Sequence, residues 1–500
     1  MAMSIPSFHN GEPIPLATVP YLPVREFRAE IVSAVRTGFA LTALFGMPGE
    51  NGRVQLFGVL ADSTAGSLSA LRAEVNEAYP CLTVECPQAH WFEREIAEQW
   101  EIEPQGHPWL KPIRFHPPYR SSGIAQPPLP GATEFFKVDG DEVHEVAVGP
   151  VHAGIIEPGH FRFQCHGERV FHLEVSLGYQ HRGIEAALVG GPNKRTIHLI
   201  ETLSGDSTIG HATAYCEAIE ALSETAVPAR AQVLRGVALE LERLANHIGD
   251  LGALAGDVGY LPTAAYCGRL RGDFLNLTAA LCGSRFGRGM VRPGGVLFDV
   301  DAKLAIELSR RLDKALKEVA NATRLMWDAP SVQARFEDTG AISARTCEAL
   351  GLVGPAARAC GIERDIRLDF PSGVFRFAQV PISKWDTGDV FARAWVRWLE
   401  IQRSAVFVRE QLASLPQGRS LATVGPLMPS HLVVSLTEGW RGEIAHVAII
   451  DGRGRLSRYK VVDPSFRNWM GLAIALRNQQ ISDFPLCNKS FSLSYCGHDL

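Results

Sequence analysis

The sequence is poor in the features by which metal-binding, exported and membrane-spanning proteins are recognised. Its 10 cysteines (81, 86, 165, 216, 267, 282, 347, 360, 487 and 496) include no Cys-x-x-Cys pair. Zinc and iron–sulfur sites are normally built from such close pairs, so neither is expected, and the thiols are expected to be buried and reduced. No uncharged apolar run approaches the ~20 residues that cross a bilayer. The stretch Met1-Ala2-Met3-Ser4-Ile5-Pro6 lacks the basic-then-apolar order of a secretory signal, which gives a cytosolic expectation. Nor is there an excess of positive charge. With 49 Lys+Arg against 54 Asp+Glu the formal charge is -5 and the pI near 6.4, so nucleic acid and anionic lipid are excluded as electrostatically favoured partners.

What is present is a 500-residue chain, 46% hydrophobic and 21% charged, with a mean hydropathy of +0.01. That is enough for two or three domains with a sizeable core. Residues 1–120 form a first unit. Gly38 to Gly46 and Val54 to Ala61 are strand-like runs around a Gly/Asn/Pro-rich turn. Ser67 to Tyr79 carries Leu68, Leu71, Val75 and Ala78 at helical spacing, and Cys81 to Glu85 reads as a further strand. His90 to Trp100 is a short amphipathic helix in which spacing alone makes Glu93, Arg94 and Glu95 a solvated face. Residues 121–145, rich in Pro, Gly and Ser at their start, read as a linker.

The remainder, 146–500, opens with strands at Phe161 to Cys165 and Phe171 to Leu177 and then turns helical. From Thr213 to Leu254 apolar residues recur at three- and four-residue steps, interrupted at Pro228, so two bundled helices are expected. Further helices follow at Ala302 to Met326 and Phe391 to Leu415, the latter capped through Asp386 to Val390. A strand pair turns at Asp451-Gly452-Arg453-Gly454. The expected class is α+β: a small N-terminal α/β-sandwich-like domain, then a mostly helical bundle with small sheets.

Two sets of motifs point to a family. Trp91-Phe92-Glu93-Arg94-Glu95, followed by Gly106-His107-Pro108-Trp109-Leu110, resembles the small peripheral-arm subunit of respiratory complex I and its relatives in energy-converting hydrogenases. Gly178-Tyr179-Gln180-His181-Arg182-Gly183-Ile184-Glu185 and Arg288-Gly289-Met290-Val291-Arg292-Pro293-Gly294-Gly295-Val296 resemble the large subunit of formate hydrogenlyase-type nickel–iron hydrogenases and its homologue, the quinone-site subunit of complex I. Gly354-Pro355-Ala356-Ala357-Arg358 and Asp389-Val390-Phe391-Ala392-Arg393 fit the same pattern.

The resemblance implies a metal or quinone chamber between two segments, Glu201 to His211 and Asp463 to Asn468. In hydrogen-cleaving relatives, nickel and iron are held there by four thiolates, since soft anionic sulfur suits low-valent metals. Here the positions carry Ser204, Ser207, Ser465 and Asn468, and Cys216, Cys487 and Cys496 are expected to lie elsewhere. A serine hydroxyl is not an anionic ligand at neutral pH, so the nickel–iron centre is expected to be lost and no cofactor to be bound directly. In complex I a tyrosine in the first segment holds the quinone headgroup; Gly205 stands in its place. The resemblance also implies a catalytic aspartate, Asp257, linked to a histidine, either His152 or His160, with His181 and Arg292 near the chamber.

Two functions follow as expectations. One is an oxidoreductase subunit that passes electrons from an iron–sulfur cluster on a neighbouring small subunit toward a quinone or another carrier. The other is a non-catalytic coupling or scaffold subunit of a hydrogenase-related ion-transport complex. Either implies a peripheral position on the cytoplasmic side of a bacterial membrane, with iron–sulfur, ferredoxin-type and antiporter-like subunits as partners.

Overall fold

The computed structural model describes residues 5–120, 129–154 and 156–500. Residues 1–4, residues 121–128 of the expected linker, and Ile155 lie outside the described residues. The protein is α+β, with several small antiparallel sheets around a helical bundle.

Near the N-terminus, helix α1 (Val24–Arg36) covers a sheet formed by β1 (Ala40–Pro48), β2 (Val54–Asp62) and β3 (Ser67–Val75). The β1–β2 hairpin closes through Asn51 and Gly52, whose φ values of 52° and 73° are left-handed. Strand β3 replaces the helix expected at Ser67 to Tyr79. It pairs with β2 over its whole length, from Asp62↔Ser67 to Val54↔Val75. Strand Ser7–Phe8 lies on its other edge, so β3 is an inner strand with Leu68 and Leu71 buried on opposite faces, and the helix-like spacing is a by-product of two-sided burial.

The strand expected at Cys81 to Glu85 is a tight turn, closed by Glu85 N–H and Cys86 N–H on Leu82 O. The Glu93 carboxylate holds it, accepting from Leu82 N and Thr83 N at 2.8 and 2.9 Å. Glu93 lies on α2 (His90–Trp100), whose Glu93, Arg94 and Glu95 are buried rather than solvated. Glu95 pairs with Arg114 and, at 2.6 Å, with Lys460; Lys460 and Arg458 in turn pair with Glu185 at 3.0 and 2.9 Å. Burial would raise the Glu95 carboxyl, but the Lys460 and Arg114 charges hold it below its ordinary range. Charges removed from water need this pairing, and here the partners come from both regions of the chain.

The second region begins with a three-stranded sheet, β4 (Val143–Val148), β5 (His160–His166) and β6 (Arg169–Ser176), in the order β6-β5-β4. Strand β4 starts inside the segment read as linker. Helix α3 (Thr208–Leu222) is followed by the bundle: α4 (Ala229–Asp257), α5 (Leu261–Cys282), α6 (Ala302–Trp327) and α7 (Val390–Ala413). Pro228 separates α3 from α4, and Asp389 caps α7 by accepting from Ala392 N. Arg358 is wholly buried and pairs with Glu400 at 2.7 Å and Glu438 at 2.8 Å, joining a short helix to α7 and the last sheet.

That sheet comprises β7 (His431–Gly439), β8 (Gly442–Ile450) and β9 (Leu456–Val462), and its outer edge is completed by Ile14–Pro15. Helix α8 (Pro464–Ala475) leaves β9 at Asp463, its N-cap. The first sheet is bound to this region by Arg458 on Gly46 O and by Arg467 on Leu41 O and Thr42 O.

Candidate functional site

The two segments singled out in the sequence meet where α3 and α8 begin. The first is a turn, Glu201 to Ser207, whose Asp206 takes a left-handed φ of 61°. Every element around it supplies a tether. The tip of the β7–β8 hairpin presents Trp440 Nε1 to Asp206 O at 2.8 Å and Arg441 Nη1 to Gly205 O at 2.7 Å. Asn246 on α4 donates to Asp206 O, and Glu242 on α4 accepts from Ile209 N and Gly210 N at 2.7 and 3.2 Å. Burial pushes the Glu242 carboxyl up to about 8, outweighing those two N–H donors, so it is protonated at neutral pH.

The four positions that the resemblance assigns to thiolates are differently employed here. Asn468 bridges the backbone of Val353, accepting from its N–H and donating to its C=O at 3.0 Å each. Ser465 Oγ accepts from Ser494 N at 2.9 Å, and Ser207 Oγ from Arg441 at 3.2 Å. Ser204 Oγ is buried and has no hydrogen-bond partner among the described residues. Two hydroxyls already engaged, one free hydroxyl and an amide committed to backbone do not make a soft anionic donor set, so the residues present do not fit a nickel–iron centre. Among the described residues no group of three or more His, Cys, Asp or Glu side chains is arranged to hold a metal ion.

Ser204 and Gly205 line an open cleft of about 600 Å³, together with Tyr179, His181, Arg182 and Cys496. Cys496 corrects the expectation that it lies elsewhere, whereas Cys487 does lie away from the cleft, beside Gly340. The Cys496 Sγ accepts from Gly205 N at 3.2 Å and contacts Ser494 Oγ at 3.3 Å, and burial raises its thiol above the ordinary range, so it is a neutral wall and not a thiolate. Sequence distance hid it; the only signal was a cysteine following Ser494, the cap of the terminal helical turn.

His181 Nδ1 is 2.7 Å from Asp499 O and its ring stacks on His116 at 4.6 Å. Burial and then the Arg114 charge lower it to about 4, so at neutral pH it is an uncharged imidazole that donates from Nδ1. Arg292 pairs at 2.6 Å with Glu201, which also accepts from Gly289 N at 2.8 Å; this fastens the glycine-rich loop to the turn.

Asp257 and its candidate histidines have separate partners. Asp257 pairs with Lys489, and its Oδ2 is buried without a hydrogen bond among the described residues. His152 Nε2 lies 2.8 Å from Gly159 O, and His160 Nδ1 3.0 Å from Gly149 O. The aspartate–histidine hydrogen bond implied by the resemblance is therefore not formed with either one.

Fold and site together define a class: a helical large-subunit-type domain with a two-segment cradle, carrying a small α+β unit ahead of it. Residues 29–129 match the family model described as the 30 Kd subunit of respiratory-chain NADH dehydrogenase, and residues 257–425 match that of its 49 Kd subunit. The carbon monoxide-induced hydrogenase of Rhodospirillum rubrum is 31% identical over 344 residues, covering 69% of this chain and 95% of the relative. Formate hydrogenlyase subunit 5 of Escherichia coli is 28% identical over 484 residues, covering 92% and 84%. NADH-quinone oxidoreductase subunit 4 of Thermus thermophilus is 28% identical over 391 residues, covering 73% and 96%. The chain belongs to the family of hydrogenase large subunits and their complex I homologues, with the small complex I subunit fused ahead of the large one.

Proposed function

We propose that this chain is the peripheral-arm subunit of a membrane-associated, complex I-like oxidoreductase. It receives electrons from an iron–sulfur cluster on a neighbouring subunit and passes them to a quinone or another two-electron carrier, without hydrogen chemistry. The supporting observation is the open cleft over a cradle without thiolates: the chamber is kept while its metal donors are not. Tyr179 and His181 stand in one turn at the wall of that cleft. In this reading they give the carrier a hydroxyl and a neutral imidazole, the role that a tyrosine at Gly205 would otherwise fill. Arg292 holds the turn in place through Glu201, and Asp257 acts with Lys489 instead of His152.

The relatives carry names such as formate hydrogenlyase subunit 5 and membrane-bound hydrogenase subunit alpha. The partners proposed here are correspondingly an iron–sulfur small subunit, a ferredoxin-type subunit and antiporter-like membrane subunits. No helix among the described residues is long and apolar enough to cross a membrane, and the proposed position is peripheral, on the cytoplasmic face.

The test is quinone reduction by the purified complex, with metal analysis alongside. Iron without nickel, together with turnover lost in His181→Ala, is the expected result. A complex that contains no iron–sulfur cluster overturns the reading. That outcome favours a coupling or scaffold role, for which the internal engagement of Ser207, Ser465 and Asn468 is the supporting observation.

A further inference from the structure

The turn at the wall of the cleft, Gly178 to Arg182, is held by segments that lie far from it in the chain. Its internal hydrogen bond, from His181 N to Gly178 O, is long at 3.4 Å. Gly178 takes a left-handed φ of 98°, and a Cβ there would meet the Phe115 ring at 2.9 Å and the Arg114 Cα at 3.1 Å, so the turn is pressed against the first region. Its other side is held by His498 to Leu500. Asp499 is wholly buried, and its carboxylate accepts from Gly178 N at 2.8 Å through Oδ1 and from Gln180 N at 2.9 Å through Oδ2. Leu500 O accepts from Arg182 N at 2.8 Å. This segment is itself fastened: Arg114 donates twice to His498 O, at 3.0 and 2.9 Å, and His498 Nδ1 donates to Asp499 Oδ1 at 2.9 Å.

The clamp reaches the chemistry of His181. Asp499 O lies 2.7 Å from its Nδ1, and a carbonyl can only accept, so the proton of the neutral ring is on Nδ1 and Nε2 carries a lone pair. The ring plane is set by His116 of the first region, which stacks on it at 4.6 Å and 22°. The titratable and charged groups that face the ring are Arg114, His116 and Asp499, and burial followed by the Arg114 charge keeps it uncharged. Tyr179 has the opposite character. Burial and then the Asp499 charge raise its hydroxyl above the ordinary range, so it stays a phenol that can donate. The wall thus offers a carrier one O–H donor and one nitrogen acceptor, two residues apart.

A quinone carbonyl can only accept a hydrogen bond. Tyr179 serves it, but His181 would set the Nε2 lone pair against those of the carbonyl oxygen. A hydroquinone oxygen both donates and accepts, so the reduced molecule satisfies the two groups together. We propose that Asp499 is the positioning residue of this wall, and that by fixing His181 as an acceptor it makes the cleft select the hydroxyl-bearing, reduced form of the carrier over the oxidised form. This rests on the reading that a quinone-type carrier is reduced in the cleft, and it names the form that is held. A preference for one form shifts an equilibrium toward it by the difference in affinity. The bound carrier is therefore easier to reduce than the free one, and the clamp favours electron transfer into the cleft.

Two measurements test this. In the intact complex, kept free of oxygen and of electron donor, the dissociation constants of a short-chain ubiquinone and of its hydroquinone are read by equilibrium dialysis. The hydroquinone is expected to bind about 10-fold more tightly, the worth of one good hydrogen bond. In His181→Ala and in Asp499→Asn that ratio is expected to fall to about 1. Equal binding by the wild type, or a ratio unchanged in Asp499→Asn, overturns the proposal and leaves the proposed function standing. Binding of neither form removes the quinone-type carrier, and the proposal with it. The second measurement needs no carrier. Long-range nitrogen–proton NMR correlations on the histidine-labelled full chain at neutral pH, assigned by the signal lost in His181→Gln, are expected to show His181 protonated on Nδ1 alone. The Nε2-protonated form is expected to appear in Asp499→Asn. A wild-type His181 that carries its proton on Nε2 overturns the proposal, whether or not Asp499→Asn folds.

Discussion

The two halves of the cradle have come to different ends. The downstream half, Ser465 and Asn468, is spent on architecture: each side chain satisfies buried backbone groups of a distant segment, Ser494 and Val353. The upstream half is held from outside by Trp440, Arg441, Asn246 and Glu242, while the Ser204 hydroxyl has no partner among the described residues. A cradle without thiolates can thus employ its residues in two ways, by recruiting a side chain into the fold or by leaving it facing the chamber. Only the second kind is free to act on a ligand.

The largest effect that would break this contrast is expected at Asn468. Replacing it with Leu strands the Val353 N–H and C=O together and should cost about 2–5 kcal/mol in urea unfolding of the purified chain. Ser465→Ala strands one N–H, with an expected loss of about 1–3 kcal/mol by the same measurement. Glu242 sharpens the comparison through pH. Its carboxyl is protonated in the folded chain up to about 8 but ionises near its ordinary value once unfolded, so the unfolded chain binds fewer protons between the two. Its contribution therefore falls as pH rises through that window, by up to about 1.4 kcal/mol per pH unit, and levels off above it. Glu242→Gln should flatten that slope in a series of unfolding curves from pH 5 to about pH 8. Smallest is Ser204→Ala, expected within about 0.5 kcal/mol of wild type; a loss as large as that of Ser465→Ala would mean the two halves do not differ.

Much of this was readable from residue order. The helices Thr208–Leu222, Ala229–Asp257 and Ala302–Trp327, the Pro228 break, the Asp389 cap and the hairpin at Asp451 follow from periodicity and turn chemistry, which are local, whereas helix Leu261–Cys282 was not read from the sequence. The two errors in the first region have separate causes. Strand β3 is covered on both faces, so alternation is lost, and the 81–86 turn is set by a carboxylate ten residues further on. What local pattern cannot carry is partnership across the chain. Glu95 looks solvated until Lys460 is placed beside it, 365 residues away, and His211 is one more helix histidine until the strands bring His446 to it across 235. The same applies to Cys496, which pairing rules dismissed because they count neighbours in sequence.

The short strand Ile14–Pro15 carries a consequence for how the chain is made. It closes the edge of the sheet by pairing with Leu432 and His431, more than 400 residues later. At about 5–20 residues per second, a ribosome needs tens of seconds to produce that edge. Ile14–Pro15 thus leaves the ribosome long before its partner strand exists, and until β7 is made its own backbone groups wait for that edge.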